Sequence, residues 1–428
     1  MSILRIEGGH RLSGTIEVKG SKNAALAVLS GVVLAQEPVR VFGLPKVSDT
    51  RAKLTLLEQI GAVVTHCDDH VVIDCSNLTD AEPDAELVRS IRTSFYMLGP
   101  MLARLGKARI PQPGGCRIGA RPVDFHLKGL ALLGAVIDQS GGSYVGLAPK
   151  LRGAEIYLDF PSAGATQHLM ASAVLADGQT VIQNAAMEPE VVFLADFLNK
   201  LGAIIEGAGS STVTVSGVEQ LGGGDYRVPA DRLQAGTFML AAAVTGGDVT
   251  VTSVLPEHQA PVMSKLREAG ALVDQGPEWI RVRGDKYLQA VSVKTMPYPG
   301  FPTDIQQPMA ALLATANGVS TVEETIYESR IGHIDELNRM GAKIRLEGRT
   351  AVITGVDHLQ GSVVEASDLR AGAALVLAGL GARGETYVKN VKYIDRGYED
   401  LEGSFTSLGA SIERIPIEEW EATAQWSG

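Results

Sequence analysis

The sequence predicts an α/β protein of two domains, each made of three βαβαββ units packed around buried helices. Three observations support this prediction. A Gly-Ala dipeptide between a helix-like segment and an apolar strand recurs six times, an alanine-rich apolar segment precedes each recurrence, and strand-like runs follow both. A regular period of this kind is typical of stacked copies of one supersecondary unit. Six such units exceed a single core, so three units in each of two domains is the natural division.

The Gly-Ala repeat sets the length of the unit. Successive glycines of the repeat are separated by 73, 68, 68, 71 and 68 residues. These glycines are Gly61, Gly134, Gly202, Gly270, Gly341 and Gly409. Each copy contains an apolar helix, a strand, a loop, a second helix, the Gly-Ala dipeptide, a strand and a hairpin. We interpret this order as β, α, β, α, β, β.

The first helix of each unit is predicted to be buried, because its residues are apolar on nearly all sides. The six segments begin near Lys22, Thr93, Gly164, Ala235, Asp304 and Leu369. A six-unit open solenoid would also explain the period, but interior helices of this kind must be closed on several sides. The chain is predicted to pass between the domains in EQLGGGDYRVPADR, near Gly223 and Gly224.

The composition restricts the class of protein. The chain has 428 residues, of which 45% are hydrophobic and 20% charged, as in a soluble globular protein. A net charge of −11 disfavours nucleic-acid binding, which needs a basic face. No apolar run is long enough to span a membrane. The odd, low number of cysteines (Cys67, Cys75 and Cys116) argues against a disulfide framework and favours a reducing cytosol.

Polar and charged residues recur at two places in the unit, the start of the buried helix and the loop before the second helix. The helix starts carry Lys22, Asn23, Arg92, Thr166, Asp231, Arg232, Asp304 and Arg370, and the loops carry Asp49, Cys116, Arg121, Glu188, Glu190, Arg330, Asp395 and Arg396. If three units pack around one axis, these places converge at one end of each domain. Helix N-termini favour anions, and arginine binds carboxylate and phosphate oxygens in pairs. For any one of these cations, a solvated surface position is the alternative.

The third cysteine stands in an unusual setting, the loop PQPGGCRIGARPVDFH. Gly114 and Gly115 allow the loop to move, and Arg117 and Arg121 follow Cys116 closely. Neighbouring cations lower the pKa of a thiol, and a thiol that titrates near neutrality can donate or accept a proton. The alternative is an exposed cysteine without a role.

No established cofactor or metal motif competes with this loop. The chain lacks the phosphate loop G-x-x-x-x-G-K-[ST] and the H-E-x-x-H pair. Cys67 and Cys75 lie with His66 and His70 in THCDDHVVIDC, where an alternating hairpin explains the pattern better than a metal site. We therefore expect neither a metal nor a cofactor.

Several stretches together resemble one known family. GSKNAAL, PGGCRIGARPVDFH, NAAMEPEVV, FPTDIQ, ASDLRAG and DRGYE are similar, in this order, to the UDP-N-acetylglucosamine 1-carboxyvinyltransferase family, enolpyruvyl transferases of peptidoglycan synthesis. The resemblance covers essentially the whole chain, and the cysteine loop is its most specific part. It implies a two-domain inside-out α/β barrel fold whose domains, 22–230 and 1–21 with 231–428, face each other across a cleft.

The resemblance also implies a reaction and a set of residues. The enolpyruvyl group of phosphoenolpyruvate would pass to the 3'-hydroxyl of the nucleotide sugar, with release of phosphate. Cys116 matches the family's proton donor at C3, and Asp304 matches the candidate base at the sugar hydroxyl. Lys22, Arg121 and Arg396 match residues that hold phosphate and carboxylate, and Arg370 joins this group.

Further positions match substrate contacts of the family. They are Asn23, Arg92, Pro122, Val123, Asp124, Phe125, Ser162, Ala163, Gly164 and Ile326. Phe160 stands where some members have a lysine, and Gln167-His168 replaces an expected Glu-Asn, so we assign His168 no role. Arg117 is an unusual neighbour for the cysteine.

The composition and the resemblance lead to expectations about partners. We expect a cytoplasmic monomer that acts on small molecules and binds neither nucleic acid nor membrane. Two other interpretations stay open. One is the related 3-phosphoshikimate 1-carboxyvinyltransferase, against which the cysteine loop argues. The other is a non-catalytic binding protein on the same scaffold, which would not need the full set of charged residues.

Overall fold

The computed structural model describes residues 2–79, 81–114, 123–285 and 287–424 and divides into two compact units. The N unit contains residues 20–114 and 123–229. The C unit contains residues 2–19 and 230–424. Each unit has its own hydrophobic core of buried aliphatic and alanine side chains.

The strands are, in chain order, β1 (Ser2–Glu7), β2 (Ser13–Glu17), β3 (Val39–Phe42), β4 (Val63–His66), β5 (His70–Asp74), β6 (Lys107–Pro111), β7 (Val136–Ser140), β8 (Ser143–Leu147), β9 (Glu155–Tyr157), β10 (Gln179–Gln183), β11 (Ile204–Glu206), β12 (Thr212–Ser216), β13 (Gly224–Arg227), β14 (Asp248–Thr252), β15 (Leu272–Gln275), β16 (Trp279–Arg283), β17 (Ser292–Lys294), β18 (Val319–Glu323), β19 (Lys343–Glu347), β20 (Thr350–Thr354), β21 (Val363–Glu365), β22 (Glu385–Lys389) and β23 (Ser411–Pro416).

The α-helices are α1 (Lys22–Gly31), α2 (Ser48–Gln59), α3 (Ala85–Ser90), α4 (Leu98–Leu105), α5 (Asp124–Leu132), α6 (Ala163–Ala173), α7 (Pro189–Lys200), α8 (Arg232–Val244), α9 (Ala260–Glu268), α10 (Thr303–Leu313), α11 (His333–Arg339), α12 (Leu369–Gly381), α13 (Leu401–Ser407) and α14 (Ile417–Ala424). Short 3₁₀ helices are formed by Val32–Leu34, Arg92–Met97, Pro256–Gln259 and Val391–Arg396. Among the described residues, no helix is both long and apolar enough to cross a membrane.

The sheets confirm the predicted βαβαββ unit. In β11-β12-β10-β9, strands β9 and β10 are parallel, and β10, β12 and β11 follow as antiparallel neighbours. The sheets β13-β3-β5-β4, β15-β16-β14-β2, β17-β18-β20-β19 and β21-β22-β1-β23 have the same plan, a parallel pair joined to antiparallel strands. A parallel pair needs a crossover, and the buried helices α6, α10 and α12 supply it for β9–β10, β17–β18 and β21–β22. In the pairs β13–β3 and β2–β14, the two strands come from distant parts of the chain.

One unit departs from the plan, because within the described part of the chain the sheet β6-β8-β7 has antiparallel pairs only. The residues before its buried helix form α3 and a 3₁₀ helix instead of a strand. Asp84 caps α3 by accepting a hydrogen bond from the N–H of Leu87 at 2.8 Å, which favours a helix start at this place.

The chain crosses between the units in two places, and the second falls between residues 229 and 230, inside the stretch EQLGGGDYRVPADR. Residues 224–227 form β13, which is parallel to β3 in the N unit, so the chain leaves that unit only after β13. The first crossing comes after residue 19, so the two strands before it belong to the C unit. There β1 lies between β22 and β23, and β2 is parallel to β14.

The predicted interior helices are buried. In α1, every residue from Ala24 to Gly31 is buried, and in α12 every residue from Leu369 to Leu380 is buried, including Arg370. The buried helices start with capped N-termini in several units. Ser21, Ser162, Asp231 and Asp368 each accept a hydrogen bond from a backbone N–H of the first turn. The polar residues at these helix starts therefore lie at the ends of closely packed cores.

Candidate active site

In the N unit, Lys22 and Asn23 form the first turn of α1. The Lys22 amine lies 3.7 Å from a carboxylate oxygen of Asp49, at the start of α2. The side chain of Lys22 is 13% exposed and that of Asp49 only 7% exposed. A carboxylate beside a partly buried ammonium limits the freedom of the amine. The sequence singled out both residues, and the structure brings them together.

Arg92 begins the 3₁₀ helix that leads into α4. The hydroxyl of Ser94 donates hydrogen bonds to the carbonyls of Val88 and Ile91 and so closes this turn. The amine of Lys53 donates to the carbonyl of Thr93 at 2.8 Å. Burial lowers the pKa of Lys53 well below its ordinary value. Nothing in the sequence indicates a role for Lys53, because one lysine in an amphipathic helix is typical of a solvent-facing residue.

The turn formed by Ser162, Ala163 and Gly164 begins α6. The hydroxyl of Ser162 accepts a hydrogen bond from the N–H of Ala165 at 3.3 Å. A Cβ atom at Gly164 would lie 2.1 Å from the Tyr96 hydroxyl, so the close approach of this ring requires glycine. Phe160, just before the turn, is 41% exposed.

His168 has a structural role that the sequence did not reveal. Its Nε2 accepts the N–H of Gly99 at 2.9 Å, and its Nδ1 lies 2.9 Å from Nδ1 of His126. Because Nε2 accepts a hydrogen bond, it carries no proton, so the His168 ring is neutral and connects α4, α5 and α6. Burial lowers the pKa of His168 well below its ordinary value, and the charges of His126 and Lys53 act in the same direction.

The predicted nucleotide-binding loop is described only from Val123 onwards. Val123 precedes α5, whose first residues are Asp124 and Phe125. Phe125 packs against the core of the N unit. Cys116, Arg121 and Pro122 lie outside the described residues, as does Arg117.

In the C unit, Asp304 is held by two buried guanidinium groups. Its Oδ1 accepts a hydrogen bond from Nη1 of Arg330 at 2.7 Å. Its Oδ2 accepts from Nε of Arg370 at 3.3 Å and lies 3.2 Å from Nη2 of the same residue. The Asp304 side chain is 24% exposed, whereas both arginine side chains are almost fully buried. The sequence predicted Asp304 and Arg370 as site residues, and Arg330 completes the cluster.

The arginines stay charged in this setting. Burial lowers the pKa of Arg370, but the hydroxyl of Tyr398 and the carboxylates of Asp304 and Asp231 outweigh it and raise the pKa above its ordinary value. Burial likewise opposes the charge of Arg330, and Asp304 and Asp368 overcome it, so this pKa is also raised. Two fixed positive charges on one carboxylate form a centre that favours further anionic oxygens nearby.

Tyr398 and Thr237 extend this cluster into the core of the C unit. Nη1 of Arg370 donates to the Tyr398 hydroxyl at 3.0 Å, and that hydroxyl lies 2.7 Å from Oγ1 of Thr237. Burial raises the pKa of Tyr398. The guanidinium is therefore fixed on two sides, which limits its movement.

The remaining predicted residues of the C unit lie on two further segments. Arg396 ends the 3₁₀ helix Val391–Arg396 and is half-buried. Its neighbour Asp395 accepts two hydrogen bonds from Arg414, which anchor this helix to β23. Ile326 lies in the turn after β18, and its N–H donates to a carboxylate oxygen of Glu324 at 2.7 Å.

Several polar residues that recur in the repeat act as structural caps. The hydroxyl of Thr166 accepts from the N–H of Ala186 at 3.0 Å. Asp231 caps α8 with bonds from the N–H groups of Leu233 and Gln234. The repeat position therefore marks a helix start in these cases, but only some of the residues there carry a charge that can face a ligand.

The chain is similar to known proteins over nearly its whole length. A sequence model of the EPSP synthase (3-phosphoshikimate 1-carboxyvinyltransferase) family matches residues 6–405. The chain is 51% identical over 412 residues to UDP-N-acetylglucosamine 1-carboxyvinyltransferase 2 of Carboxydothermus hydrogenoformans, covering 96% of this chain and 98% of that protein. It is 47% identical over 423 residues to UDP-N-acetylglucosamine 1-carboxyvinyltransferase of Finegoldia magna, covering 98% and 100%.

Solved structures share the fold. The crystal structure of the enolpyruvyl transferase NikO from Streptomyces tendae matches with a TM-score of 0.87 at 26% identity, covering 97% of this chain and 99% of that one. EPSP synthase from Acinetobacter baumannii matches with a TM-score of 0.76 at 21% identity, covering 97% and 100%. This second likeness concerns the fold alone.

Proposed function

The chain belongs to the UDP-N-acetylglucosamine 1-carboxyvinyltransferase family, and on this premise we propose that it transfers the enolpyruvyl group of phosphoenolpyruvate to the 3'-hydroxyl of UDP-N-acetylglucosamine. The observation that carries the proposal is the 51% identity to a relative of that name over 96% of the chain. The product is an enolpyruvyl ether of the nucleotide sugar, and inorganic phosphate is released. Both substrates are charged metabolites, so we infer a cytoplasmic enzyme in the first committed step of peptidoglycan synthesis.

The reaction proceeds by addition and elimination. In the addition, C3 of phosphoenolpyruvate takes a proton, and the sugar oxygen bonds to C2 as its hydroxyl proton leaves. The tetrahedral intermediate carries phosphate, carboxylate and the sugar on C2. In the elimination, the bond from C2 to the phosphate oxygen breaks, and C3 loses a proton to restore the double bond. The enzyme must therefore supply one proton donor, one proton acceptor and several cations.

We assign the proton acceptor to Asp304. Its carboxylate is ionised, because each of its oxygens accepts a hydrogen bond from a guanidinium group. Each carboxylate oxygen has two lone pairs, so these contacts do not by themselves saturate it. The side chain is 24% exposed, which leaves an approach for the sugar hydroxyl. The guanidinium groups of Arg330 and Arg370 fix its orientation, as a positioned general base requires.

We assign the binding of phosphate and carboxylate to Lys22, Arg121, Arg370 and Arg396. A chain with a net charge of −11 repels polyanions at long range, so binding depends on cations gathered at the site. Arg370 meets this need, because it is buried and stays charged. Lys22 stands at the N-terminus of α1, where free backbone N–H groups also favour an anion.

We assign the proton donor at C3 to Cys116, whose thiol gives its proton to C3. We propose that the resulting thiolate can also bond to C2 in place of the sugar oxygen, which gives a covalent adduct that keeps the phosphate. Arg117 and Arg121 follow Cys116 closely in the sequence, and neighbouring cations lower the pKa of a thiol, which makes it a better proton donor. The epoxide fosfomycin should alkylate it. We expect Cys116→Ser to lose this labelling and to lose turnover, whereas Cys67→Ser should keep both, since Cys67 is an exposed cysteine elsewhere on the N unit. Labelling of Cys116→Ser at another residue would contradict the assignment.

We assign the nucleotide to two helix starts of the N unit. The first is the start of α5 with Val123, Asp124 and Phe125, together with Pro122 before it. The second is the turn Ser162–Gly164 at the start of α6. Asn23, Arg92 and Ile326 complete the proposed substrate contacts. Backbone N–H groups at such helix starts suit the phosphates of a nucleotide.

The alternative acceptor is 3-phosphoshikimate, since the matching family model bears the name of that transferase. Phosphate release from phosphoenolpyruvate distinguishes the two, when it is measured with UDP-N-acetylglucosamine and separately with shikimate 3-phosphate. We expect release with the nucleotide sugar alone. Release with shikimate 3-phosphate alone would overturn the proposed acceptor, and release with neither would favour a binding protein on the same scaffold.

A further inference from the structure

Glu324 is a buried carboxylate that joins three segments of the C unit. It follows β18 directly and is only 3% exposed. Its Oε1 accepts the hydroxyl of Thr295 at 2.9 Å and the N–H groups of Ile326 at 2.7 Å and Tyr327 at 3.1 Å. Its Oε2 accepts the hydroxyl of Thr303 at 2.7 Å. These donors come from the end of β17, the turn after β18 and the first residue of α10.

All four hydrogen bonds of Glu324 have its side-chain oxygens as acceptors. A carboxylate only accepts hydrogen bonds, whereas a protonated carboxyl group must also donate one. Both oxygens of Glu324 already face donors. A buried carboxylate is costly unless it is hydrogen-bonded, and four bonds offset much of that cost. The arrangement is therefore specific for an anion at this position.

Thr303 connects Glu324 to the proposed catalytic base. A threonine hydroxyl has one proton, and here that proton goes to Glu324, so the lone pairs of Oγ1 remain for another donor. Nη1 of Arg330 is that donor, at 3.0 Å. The same nitrogen donates to Oδ1 of Asp304 at 2.7 Å. The chain of hydrogen bonds thus runs from Glu324 through Thr303 and Arg330 to Asp304.

We propose that Glu324 is a positioning residue for Asp304, acting through Thr303 and Arg330. The inference rests on the proposed function of Asp304 as the base. Glu324 orients the Thr303 hydroxyl, which places Arg330, and Arg330 fixes one oxygen of the carboxylate. Through the N–H groups of Ile326 and Tyr327, the same carboxylate holds the turn that carries the proposed substrate contact Ile326.

The test compares Glu324→Gln with a matched control one residue away. The amide that Glu324→Gln introduces would place a donor where an oxygen now accepts, so the Thr303 hydroxyl would have to turn. Glu323→Gln makes the same chemical change on the exposed end of β18, where Glu323 pairs with Lys294 at 3.1 Å. Thr303→Val removes the hydroxyl of the connection, and Thr303→Ser keeps it.

We expect Glu324→Gln to lower kcat roughly tenfold or more, with KM for either substrate within about threefold. The amide oxygen of the variant can still accept from the N–H groups of Ile326 and Tyr327, so the loss lies in the orientation of the base and not in binding. Glu323→Gln should leave both constants unchanged. Thr303→Val should lower kcat by a similar factor, whereas Thr303→Ser should keep kcat near that of the wild type. The double variant Glu324→Gln/Thr303→Val should be no slower than either single variant, since both changes act on the same contact. Unchanged kcat in folded Glu324→Gln, or losses that multiply in the double variant, would overturn the proposal.

A second measurement does not depend on activity. Crystal structures of the wild type and Glu324→Gln give the distance from Nη1 of Arg330 to Oδ1 of Asp304, which is 2.7 Å here. We expect this contact to break or lengthen in the variant, and an unchanged contact would refute the connection. If the wild type released no phosphate from phosphoenolpyruvate, the proposed function would be wrong. The distance between Arg330 and Asp304 in the two crystal structures would still test whether Glu324 positions Asp304. If Glu324→Gln did not fold, the pair Thr303→Val and Thr303→Ser would decide it.

Discussion

His333 makes the stability of the C unit depend on pH in a way that can be calculated. It is the first residue of α11 and is almost fully buried, and neither ring nitrogen has a hydrogen-bond partner among the described residues. Burial lowers the pKa of His333 to about 4. The charge of Arg330 lowers the pKa as well, while Asp368 opposes this effect. The ring is therefore neutral in the folded protein at pH 7.

The direction of the change in stability with pH follows from the pKa values of His333 in the folded and unfolded states. In the unfolded chain a histidine has a pKa of about 6.5, so the unfolded state binds the proton more readily than the folded state, whose value is about 4. Stability is therefore complete above pH 6.5 and falls as the pH drops towards 4. Between pH 7 and pH 5 this one group should reduce the free energy of unfolding by about 2 kcal/mol. The full loss below pH 4 is roughly 3.4 kcal/mol.

The assay is urea unfolding of the wild type and His333→Leu at both pH values, followed by tryptophan fluorescence. The three tryptophans, Trp279, Trp420 and Trp426, all come after residue 230 in the chain, so their fluorescence reports the C unit. The difference in unfolding free energy between wild type and variant should change by about 2 kcal/mol between pH 7 and pH 5. The exposed His10, replaced by glutamine, is the control. A difference that does not change with pH would refute this account of His333.

Three further predictions concern charged residues of the two units. Asp304→Ala should lower kcat at least about a hundredfold. It should also lower the free energy of unfolding by about 3–5 kcal/mol, because it leaves the buried Arg330 and Arg370 without their carboxylate. A urea denaturation midpoint equal to that of the wild type would contradict this. Lys22→Ala should raise KM for phosphoenolpyruvate more than it lowers kcat, and steady-state kinetics that show an unaltered KM would remove this residue from phosphate binding. Lys53→Met should leave the midpoint of thermal unfolding equal or higher, because an apolar side chain of similar length avoids the desolvation of a buried amine. A clearly lower midpoint, measured by circular dichroism, would show that the hydrogen bond from Lys53 to the carbonyl of Thr93 matters more.

The repeated architecture could be predicted from the sequence because its signals are local. The Gly-Ala period and the apolar segments identify six buried helices and the strands that follow them. The pairing of the first strands could not be predicted in this way. β1 pairs with β22, whose residues lie about 380 positions away in the chain, and β13 pairs with β3 across about 185 positions. No short-range pattern specifies such partners.

The site was predictable only in part, for a similar reason. Asp304 and Arg370 stand at helix starts that recur in the repeat, and the structure brings them into contact. Lys53 and Glu324 are charged residues whose partners are backbone groups or hydroxyls from distant segments. His168 lies in an apolar helix, and its role depends on a partner 42 positions away in the sequence. Residue type alone does not distinguish such side chains from surface charges.

The central claim is that this chain joins phosphoenolpyruvate to a nucleotide sugar by addition and elimination. The most direct test is mass spectrometry of the nucleotide sugar after incubation with enzyme and phosphoenolpyruvate in deuterated water. Because C3 gains a solvent proton in the addition and loses one in the elimination, the account predicts an enolpyruvyl nucleotide sugar that carries deuterium on its vinyl carbon. An unchanged nucleotide sugar would contradict the proposed activity, and an enolpyruvyl product free of deuterium would contradict the proposed mechanism.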